Sequence, residues 1–201
     1  MGISRRKEGE KRELRAKIIY ATSKILIDQG YERTTIRKVA EAIEYSPRTI
    51  YLYYKDKDSL LMEIIEKGFA GTLEKRSRLK ETLDYSKPEE IFGIQVMANI
   101  QTALDSPNLY KAILYLLQYK AYPPGPHQLE VIRDVKYDIE ICHKYKESKV
   151  ENSGQKAELI FAFLRGFNLM LINKIGDLTE EEIESYKQSC VQMVLKGIVG
   201  L

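Results

Sequence analysis

The chain has 201 residues, of which 44% are hydrophobic and 30% charged, with two cysteines and two histidines. This composition is that of an ordinary globular protein and excludes a disordered chain. So few cysteines exclude a disulfide framework. The first residues lack the apolar stretch of a secretion signal, and uninterrupted apolar runs are short, so we expect no membrane partner and a cytoplasmic location.

The basic charge of the chain is concentrated at its N-terminal end. Residues 1–60 hold 14 Lys and Arg against 9 Asp and Glu, a net charge of +5, whereas residues 61–201 hold 18 against 20, a net charge of −2. A small basic module on a nearly neutral body indicates an anionic partner for that module.

Two helices are predicted first in the chain. Apolar residues at helical spacing cover 8–29, and Gly30 follows as a C-terminal stop. A second, short helix is predicted over 35–42, with Thr34 as its N-cap.

Two more helices follow within the same N-terminal region. Ser46 is a good N-cap for a third helix, and Pro47 suits its first helical position. A fourth helix is predicted to start at Asp56, which is also a capping residue. Two short helices separated by about three residues and followed by a longer one form a helix-turn-helix layout, in which the second short helix enters the DNA major groove.

The rest of the chain is predicted to be helical as well, which makes the fold class all-α with about nine helices. Residues 123–126 are expected to form a loop, because three of these four residues are prolines. The five further helices are predicted over 88–104, 107–119, 128–147, 154–175 and 179–199.

The third predicted helix has two opposite faces when its residues are placed at 100° intervals. The inward face, suited to packing on the preceding helix, carries Pro47, Ile50 and Tyr54. The outward face is basic, aromatic and hydroxyl-bearing, with Arg48, Leu52 and Lys55 flanked by Thr49, Tyr51 and Tyr53. Arg can bind guanine with two parallel hydrogen bonds, and hydroxyl groups reach phosphates, so this face favours DNA binding.

With these residues the N-terminal part of the chain resembles the TetR family of bacterial transcription regulators. The resemblance covers about the first 65 residues, and beyond them the chain matches only in being helical and of suitable length. The positions that carry it are Gly30, Tyr31, Thr34, Thr35, Ile36, Val39, Ala40, Ser46, Thr49, Ile50, Tyr51, Tyr54, Lys57, Leu60 and Leu61.

The resemblance implies a function and a division of the chain. It implies a ligand-responsive regulator, usually a repressor, that binds a palindromic DNA operator as a homodimer and releases it when a small-molecule effector binds. A DNA-binding domain over 1–56 and a ligand-binding and dimerisation domain over 57–201 are then expected. By position, the residues that contact DNA would be Thr35, Arg48, Thr49, Tyr51, Tyr53 and Lys57.

The turn between the second and third helices departs from the family pattern. The family usually has glycine there, a residue that adopts a positive φ without steric cost, whereas this chain has Glu44. We expect Glu44 to cost about 1 kcal/mol of strain or to force a different turn, and it adds a negative charge near the DNA.

The last two helices are apolar around much of their circumference, which predicts that they are buried on more than one side. In a regulator with two DNA-binding heads this favours a dimer interface, although an interior helix within one chain explains the pattern too. The predicted interface residues are Phe161, Leu164, Asn168, Leu171, Val191 and Leu195.

Aromatic residues in the central helices are candidates for an effector pocket. Rings with hydroxyl tips suit a mainly apolar ligand with some polar groups, although an ordinary amphipathic helix surface explains the same pattern. The predicted pocket residues are Tyr110, Tyr115, Tyr119, Tyr137 and Phe163.

No catalytic chemistry is predicted for the chain. It contains no nucleophile–base pairing, phosphate-binding glycine loop or metalloprotease motif, so we expect no enzyme, no catalytic residue and no cofactor. Cys142 and His143 are neighbours that point about 100° apart on a helix, so we expect no metal site either. The alternative function is that of an all-α ligand-binding or interaction protein whose N-terminal head does not read DNA.

Overall fold

A computed structural model describes residues 2–120 and 122–201, including all side chains in these ranges except those of residues 2–4 and 119. Tyr119, one of the predicted pocket residues, therefore has a side chain outside the described part. The described residues confirm the all-α prediction, because they form nine α-helices and no strand.

The helices agree closely with those predicted from the sequence. Helix α6 continues as a π-helical turn over Tyr115–Tyr119, α8 as a 3-10 turn over Ile175–Asp177, and α9 as a π-helical segment over Met193–Val199. The nine α-helices are α1 Gly2–Arg33, α2 Ile36–Ala42, α3 Pro47–Tyr51, α4 Lys57–Lys80, α5 Pro88–Asp105, α6 Pro107–Leu114, α7 Pro126–Tyr145, α8 Ser153–Lys174 and α9 Glu180–Gln192.

Two of the predicted helix starts and stops need correction. Gly30 does interrupt the first helix, with φ of 80° and ψ of 176°, but helical residues resume after it up to Arg33. Pro126, which was assigned to the loop, is the first residue of α7, a position where proline loses no intrahelical hydrogen bond.

The chain divides into two compact units. Unit 1 comprises Met1–Gly68 and Pro107–Pro123, and unit 2 comprises Phe69–Ser106 and Pro124–Leu201. Helix α4 contributes residues to both units. The predicted boundary between 56 and 57 concerns function rather than compactness, and it stays a prediction.

Unit 1 is built on an apolar core to which α1, α2, α3 and the first half of α4 contribute. Its fully buried side chains include Ile18, Leu26, Val39, Ile50 and Leu60. Helix α6 packs against α1, and the Asn108 side chain donates a hydrogen bond to the Ile27 carbonyl at 2.9 Å.

Unit 2 has its own apolar core between α5, α7, α8 and α9. Ile91, Phe92, Ile100, Ile139 and Leu171 are fully buried in it. The start of α9 is set by a capping box in which Thr179 and Glu182 satisfy each other's backbone amides.

A buried ionic cluster lies at the end of α4 within unit 2. Asp138 of α7 is fully buried and accepts hydrogen bonds from Arg76 at 2.6 Å and from Gln95 of α5 at 2.8 Å. Arg76 and Lys80 of α4 also pair with Asp134, at 3.4 and 2.8 Å. Because breaking a buried pair leaves an uncompensated charge, this cluster fixes the end of α4 on α5 and α7.

Helix α8 and its following turn, Ser153–Asp177, are long and apolar enough to cross a membrane when only length and composition are considered. The mean hydropathy of its most apolar 18 residues is 1.4. Polar residues such as Arg165 and Asn168 interrupt the apolar residues of this helix. The core helix of a globular protein passes the same test, and α8 does contribute Ala157, Ile160 and Leu164 to the core of unit 2. Only 28% of the 18-residue window is buried, so much of this apolar helix is left exposed.

Candidate nucleic-acid interface

The turn between α2 and α3 has a residue with positive φ at the position where the family usually has glycine. Glu44 has φ of 59°, in the left-handed region. The amide of Tyr45 bonds the Ala40 carbonyl at 2.9 Å and the amide of Glu44 bonds the Glu41 carbonyl at 3.2 Å, which together form a Schellman motif. The layout is therefore kept, and Glu44 carries the strain that glycine would avoid.

The start of α3 is fixed by its cap, as predicted. The Ser46 hydroxyl accepts a hydrogen bond from the Thr49 amide at 3.2 Å, and Pro47 occupies the first turn. The two hydroxyl groups of Ser46 and Thr49 also lie 3.0 Å apart in a hydrogen bond. These contacts hold the short helix in one orientation.

Helix α3 turns the predicted faces inward and outward, with one exception. Ile50 and Tyr54 are buried, at 0% and 5% exposure, but Pro47 is exposed. On the outward face the predicted DNA-binding residues Arg48 and Tyr51 are exposed, whereas Thr49 and Tyr53 are half-buried beside them. Arg48 has no hydrogen-bond or ion-pair partner among the described residues, so its guanidinium group is available to a ligand.

Thr35 lies on the exposed surface, but its hydroxyl has a structural role. It is the N-cap of α2 and accepts a hydrogen bond from the Lys38 amide at 3.2 Å. The prediction of Thr34 as this cap is wrong, because Thr34 is buried and donates its hydroxyl to the Gly30 carbonyl at 2.8 Å. A DNA contact by Thr35 has to use the remaining capacity of a hydroxyl that is already capping a helix.

The ammonium group of Lys57 is engaged within unit 1. It donates to the Tyr31 carbonyl at 3.0 Å and lies 3.5 Å from the centre of the Tyr31 ring. Burial lowers the pKa of Lys57, and the nearby Glu32 and Asp58 offset part of this effect. Lys57 is thus held at the start of α4 by Tyr31, whose hydroxyl bonds Asp58 at 2.6 Å.

A cluster of charged and aromatic groups behind α3 was not predicted. Glu63 of α4 accepts hydrogen bonds from Arg15 Nε of α1 at 3.1 Å and from the Tyr54 hydroxyl at 2.9 Å. Burial raises the pKa of Glu63, but the bonds from Arg15 and Tyr54 outweigh it, so the net pKa is lowered. The pKa of Tyr54 rises to about 12, first through burial and then through its bond to Glu63. This cluster ties the segment that follows α3 to α1 and α4.

The predicted pocket residues do not come together within either unit. Tyr110 and Tyr115 belong to unit 1, where the Tyr115 ring packs against Tyr31 with centroids 4.6 Å apart. Tyr137 and Phe163 belong to unit 2, where Tyr137 is half exposed beside Tyr85 and Phe163 packs beside Phe167. An open groove on unit 2 is lined mainly by residues of 149–159 and 197–200 and by none of these.

The predicted dimer interface also needs correction. Five of its six residues are packed inside unit 2 and are not available to a partner, and Phe161 is half-buried against the same core. Because α8 is apolar on two sides, the spacing alone could not show which side faces inward. The residues placed in the core are Leu164, Asn168, Leu171, Val191 and Leu195.

The exposed side of α8 is a different, also largely apolar stripe. Its members recur at steps of three and four residues, as on one face of a helix, and Leu159 and Leu169 are 50% and 37% exposed. A side chain added at Gly166 in this stripe meets no other atom within 4 Å. The stripe consists of Leu159, Ala162, Gly166, Leu169 and Asn173.

Comparisons with known proteins agree with this architecture. The family model of bacterial regulatory proteins, tetR family, matches residues 18–64, which span the second half of α1 to the first part of α4. The HTH-type transcriptional regulator YerO of Bacillus subtilis is 24% identical over 195 residues, covering 92% of this chain and 66% of that protein. The chain thus spans about two thirds of the length of this relative.

Two solved structures resemble most of this chain in fold. The transcriptional regulator FadR of Bacillus subtilis in complex with stearoyl-CoA has a TM-score of 0.68 at 13% identity, covering 92% of this chain and 98% of that one. RolR in complex with resorcinol has a TM-score of 0.67 at 16% identity, covering 92% and 89%. At these identities the likeness shows that the fold is shared.

Proposed function

Because the chain belongs to the TetR family of bacterial regulatory proteins, we propose that it is a ligand-responsive transcriptional repressor that binds a palindromic operator as a homodimer. The outward face of α3 carries this proposal. It presents the exposed Tyr51 and Arg48, which has no partner among the described residues, on a short helix that is fixed by its cap and by the Glu63 cluster. Lys55 is exposed in the segment that follows this helix. These are groups that bind phosphates and base edges.

The DNA-binding test uses the double-stranded DNA upstream of the chain's own gene. An electrophoretic shift series at increasing salt is expected to show a sequence-dependent complex whose affinity falls steeply with salt, because bound phosphates release counterions. Arg48→Ala should weaken the complex. Arg133→Ala provides the matched control, since Arg133 is an exposed arginine of unit 2 with no partner in the described part of the chain.

One alternative function is separated by the same experiment. Glu44 places a negative charge in the turn before α3, which favours an all-α ligand-binding protein whose head does not read DNA. That protein would give no salt-sensitive, sequence-dependent shift, and Arg48→Ala would behave like Arg133→Ala.

The exposed stripe on α8 supports homodimer formation. A helix whose outer side is apolar and only partly buried exposes surface that a monomer in water rarely leaves open. Small residues at Ala162 and Gly166 let a second helix approach closely between Leu159 and Leu169. A stable dimer needs roughly 1,200–2,000 Å² of buried surface, which one stripe alone does not supply, so we propose that Met193 and the exposed side of α9 join it. Sedimentation equilibrium should give twice the mass of one chain.

We propose that the effector is a small molecule with a large apolar part, bound among the helices of the C-terminal domain. Two structural neighbours with a bound ligand, FadR with stearoyl-CoA and RolR with resorcinol, support an apolar or aromatic ligand in this fold. Both compounds serve as probes for binding by thermal shift. A probe that binds should then weaken the operator complex, and a probe that binds without any such effect contradicts the proposed regulation.

The proposed route from effector to DNA is α4. This helix begins beside the Glu63 cluster in unit 1 and ends at the Arg76–Asp138 cluster in unit 2. Charged contacts thus hold both ends of α4, so a shift of this helix has to break or change the contacts at one end. The ligand can change operator affinity only by its own difference in affinity for the two positions of α4.

A further inference from the structure

The outward face of α3 carries one large apolar side chain that has no role in packing. Leu52, the residue that follows α3, is 76% exposed, more than any other large hydrophobic side chain in the described part of the chain. The core beneath it is filled by Ile50 and Tyr54. Single exposed leucines are common on protein surfaces, so exposure alone decides nothing. The role of Leu52 is inferred from its fixed backbone and from its position beside Arg48.

Leu52 is held in a defined position. Its backbone is still helical, with φ of −71° and ψ of −18°, and its amide bonds the Thr49 carbonyl at 3.2 Å. Leu52 follows Arg48 by four positions, so the two side chains lie about 40° apart on the same face of the helix. Whatever DNA groove receives Arg48 therefore receives Leu52 as well.

The chemistry of the major groove offers one apolar partner for such a side chain. Base edges present hydrogen-bond donors and acceptors, which leucine cannot use, and the C5-methyl group of thymine, which it can. We propose that Leu52 reads a thymine methyl group in each half of the operator and so determines specificity at that base pair. This inference rests on the proposed DNA-binding function and adds the base that the apolar side chain selects.

The test replaces each operator thymine in turn by deoxyuridine, which lacks only the methyl group. For the wild-type chain, one position in each half-site should show about a threefold to fourfold loss of affinity, the value expected for one buried methyl group. Leu52→Ala should bind the thymine operator more weakly and should show no difference between thymine and deoxyuridine at that position.

Arg48→Ala supplies the matched control in this scan. It should weaken binding but keep the thymine preference, because Arg48 contacts a different group. Thermal unfolding checks that Leu52→Ala is folded, and an exposed side chain predicts little change in its midpoint.

The inference is overturned if the wild-type chain binds specifically and no thymine is sensitive, or if a sensitive thymine remains equally sensitive in Leu52→Ala. Failure of the proposed function looks different, because no operator is then bound by any of the variants.

Discussion

The outward face of α3 and the exposed stripe of α8 are both surfaces that the chain leaves uncovered, and they differ in their chemistry. The α3 face combines an exposed arginine with tyrosine, one leucine and the lysine of the segment that follows α3. The α8 stripe is made of leucines and small residues with a single asparagine at its end. A charged face with donors suits a hydrated polyanion, whereas an apolar face suits a second protein surface that excludes water.

The two faces are also held in place differently. In addition to Ile50 in the apolar core of unit 1, α3 is held by the Ser46 cap and the Glu63 cluster, which are polar and directional contacts. Behind the α8 stripe lies the apolar core of unit 2 around Leu164 and Leu171. Directional contacts fix the orientation of a few side chains that must meet bases, and an apolar core supports a broad surface.

The largest effect is expected when the α8 stripe is blocked. Gly166→Arg adds a long charged side chain where the chain itself has space, so each subunit should fold, while the partner helix can no longer approach. A monomer contacts only one half-site of the operator. Because its DNA-binding head is no longer joined to a second one, its affinity for the operator should fall by roughly 100-fold or more. Sedimentation and an operator titration measure the two effects.

Gly154→Arg is the matched control for that variant. Gly154 lies near the start of the same helix and also has free space around it. It precedes the stripe by more than one turn and lies about 100° around the helix axis from the centre of the stripe. It should remain dimeric with unchanged operator affinity. A dimeric Gly166→Arg protein would show that the α8 stripe is not the interface.

The next largest effect concerns the α3 face. Arg48→Ala should cost roughly 1–3 kcal/mol on the best operator and relax specificity at one base pair, because a bidentate base contact is lost. Lys57→Ala should weaken all DNA sequences about equally, because we predict that Lys57 contacts a phosphate with the N–H donors that it does not give to the Tyr31 carbonyl. A panel of single-base operator variants, titrated with both proteins, separates the two roles. Sequence-selective loss in Lys57→Ala would show that its assignment to phosphate is mistaken.

A smaller effect is expected in the turn that orients α3. Glu44→Gly should raise the free energy of unfolding by about 1 kcal/mol, because glycine adopts the positive φ of this position without a steric penalty. Urea unfolding measures it, and Glu41→Gly, inside α2, should instead destabilise the protein. An unchanged or lowered stability of Glu44→Gly would mean that the turn carries no strain in solution.

The sequence predicted features that depend on neighbouring residues better than contacts between residues far apart in the chain. Local signals located the helices and the Ser46 cap, since each depends on neighbouring residues. Even there, adjacent threonines were not distinguished, because Thr34 and Thr35 can both bond a helix terminus. For the turn at Glu44 the family resemblance left strain or a different turn open, and the structure shows the positive φ.

Contacts between distant residues were out of reach. Arg15 and Glu63 are 48 positions apart, and no local pattern brings them together. The apolar character of α8 was predicted, but the residues assigned to the interface lie on its buried side and the exposed stripe was not predicted. Both sides are hydrophobic, and only the packing of α5, α7 and α9 distinguishes them. The pocket tyrosines were chosen by residue type, and the structure distributes them between two units.

The smallest expected effect concerns pH. The Glu63 cluster that holds the segment after α3 should depend on pH, whereas the apolar core behind the α8 stripe should not. The net pKa of Glu63 is lowered from its ordinary value of about 4.5, so its ionised form stabilises the folded state above that value. This stability is lost as the pH falls through the lower pKa of the folded protein. Glu63→Gln should therefore be less stable than wild type at pH 7, by up to about 1 kcal/mol because the cluster is partly exposed to solvent, with the difference shrinking below pH of about 4.5. Urea unfolding at both pH values measures it, and a difference that does not change with pH would assign the contribution of Glu63 to its shape rather than its charge.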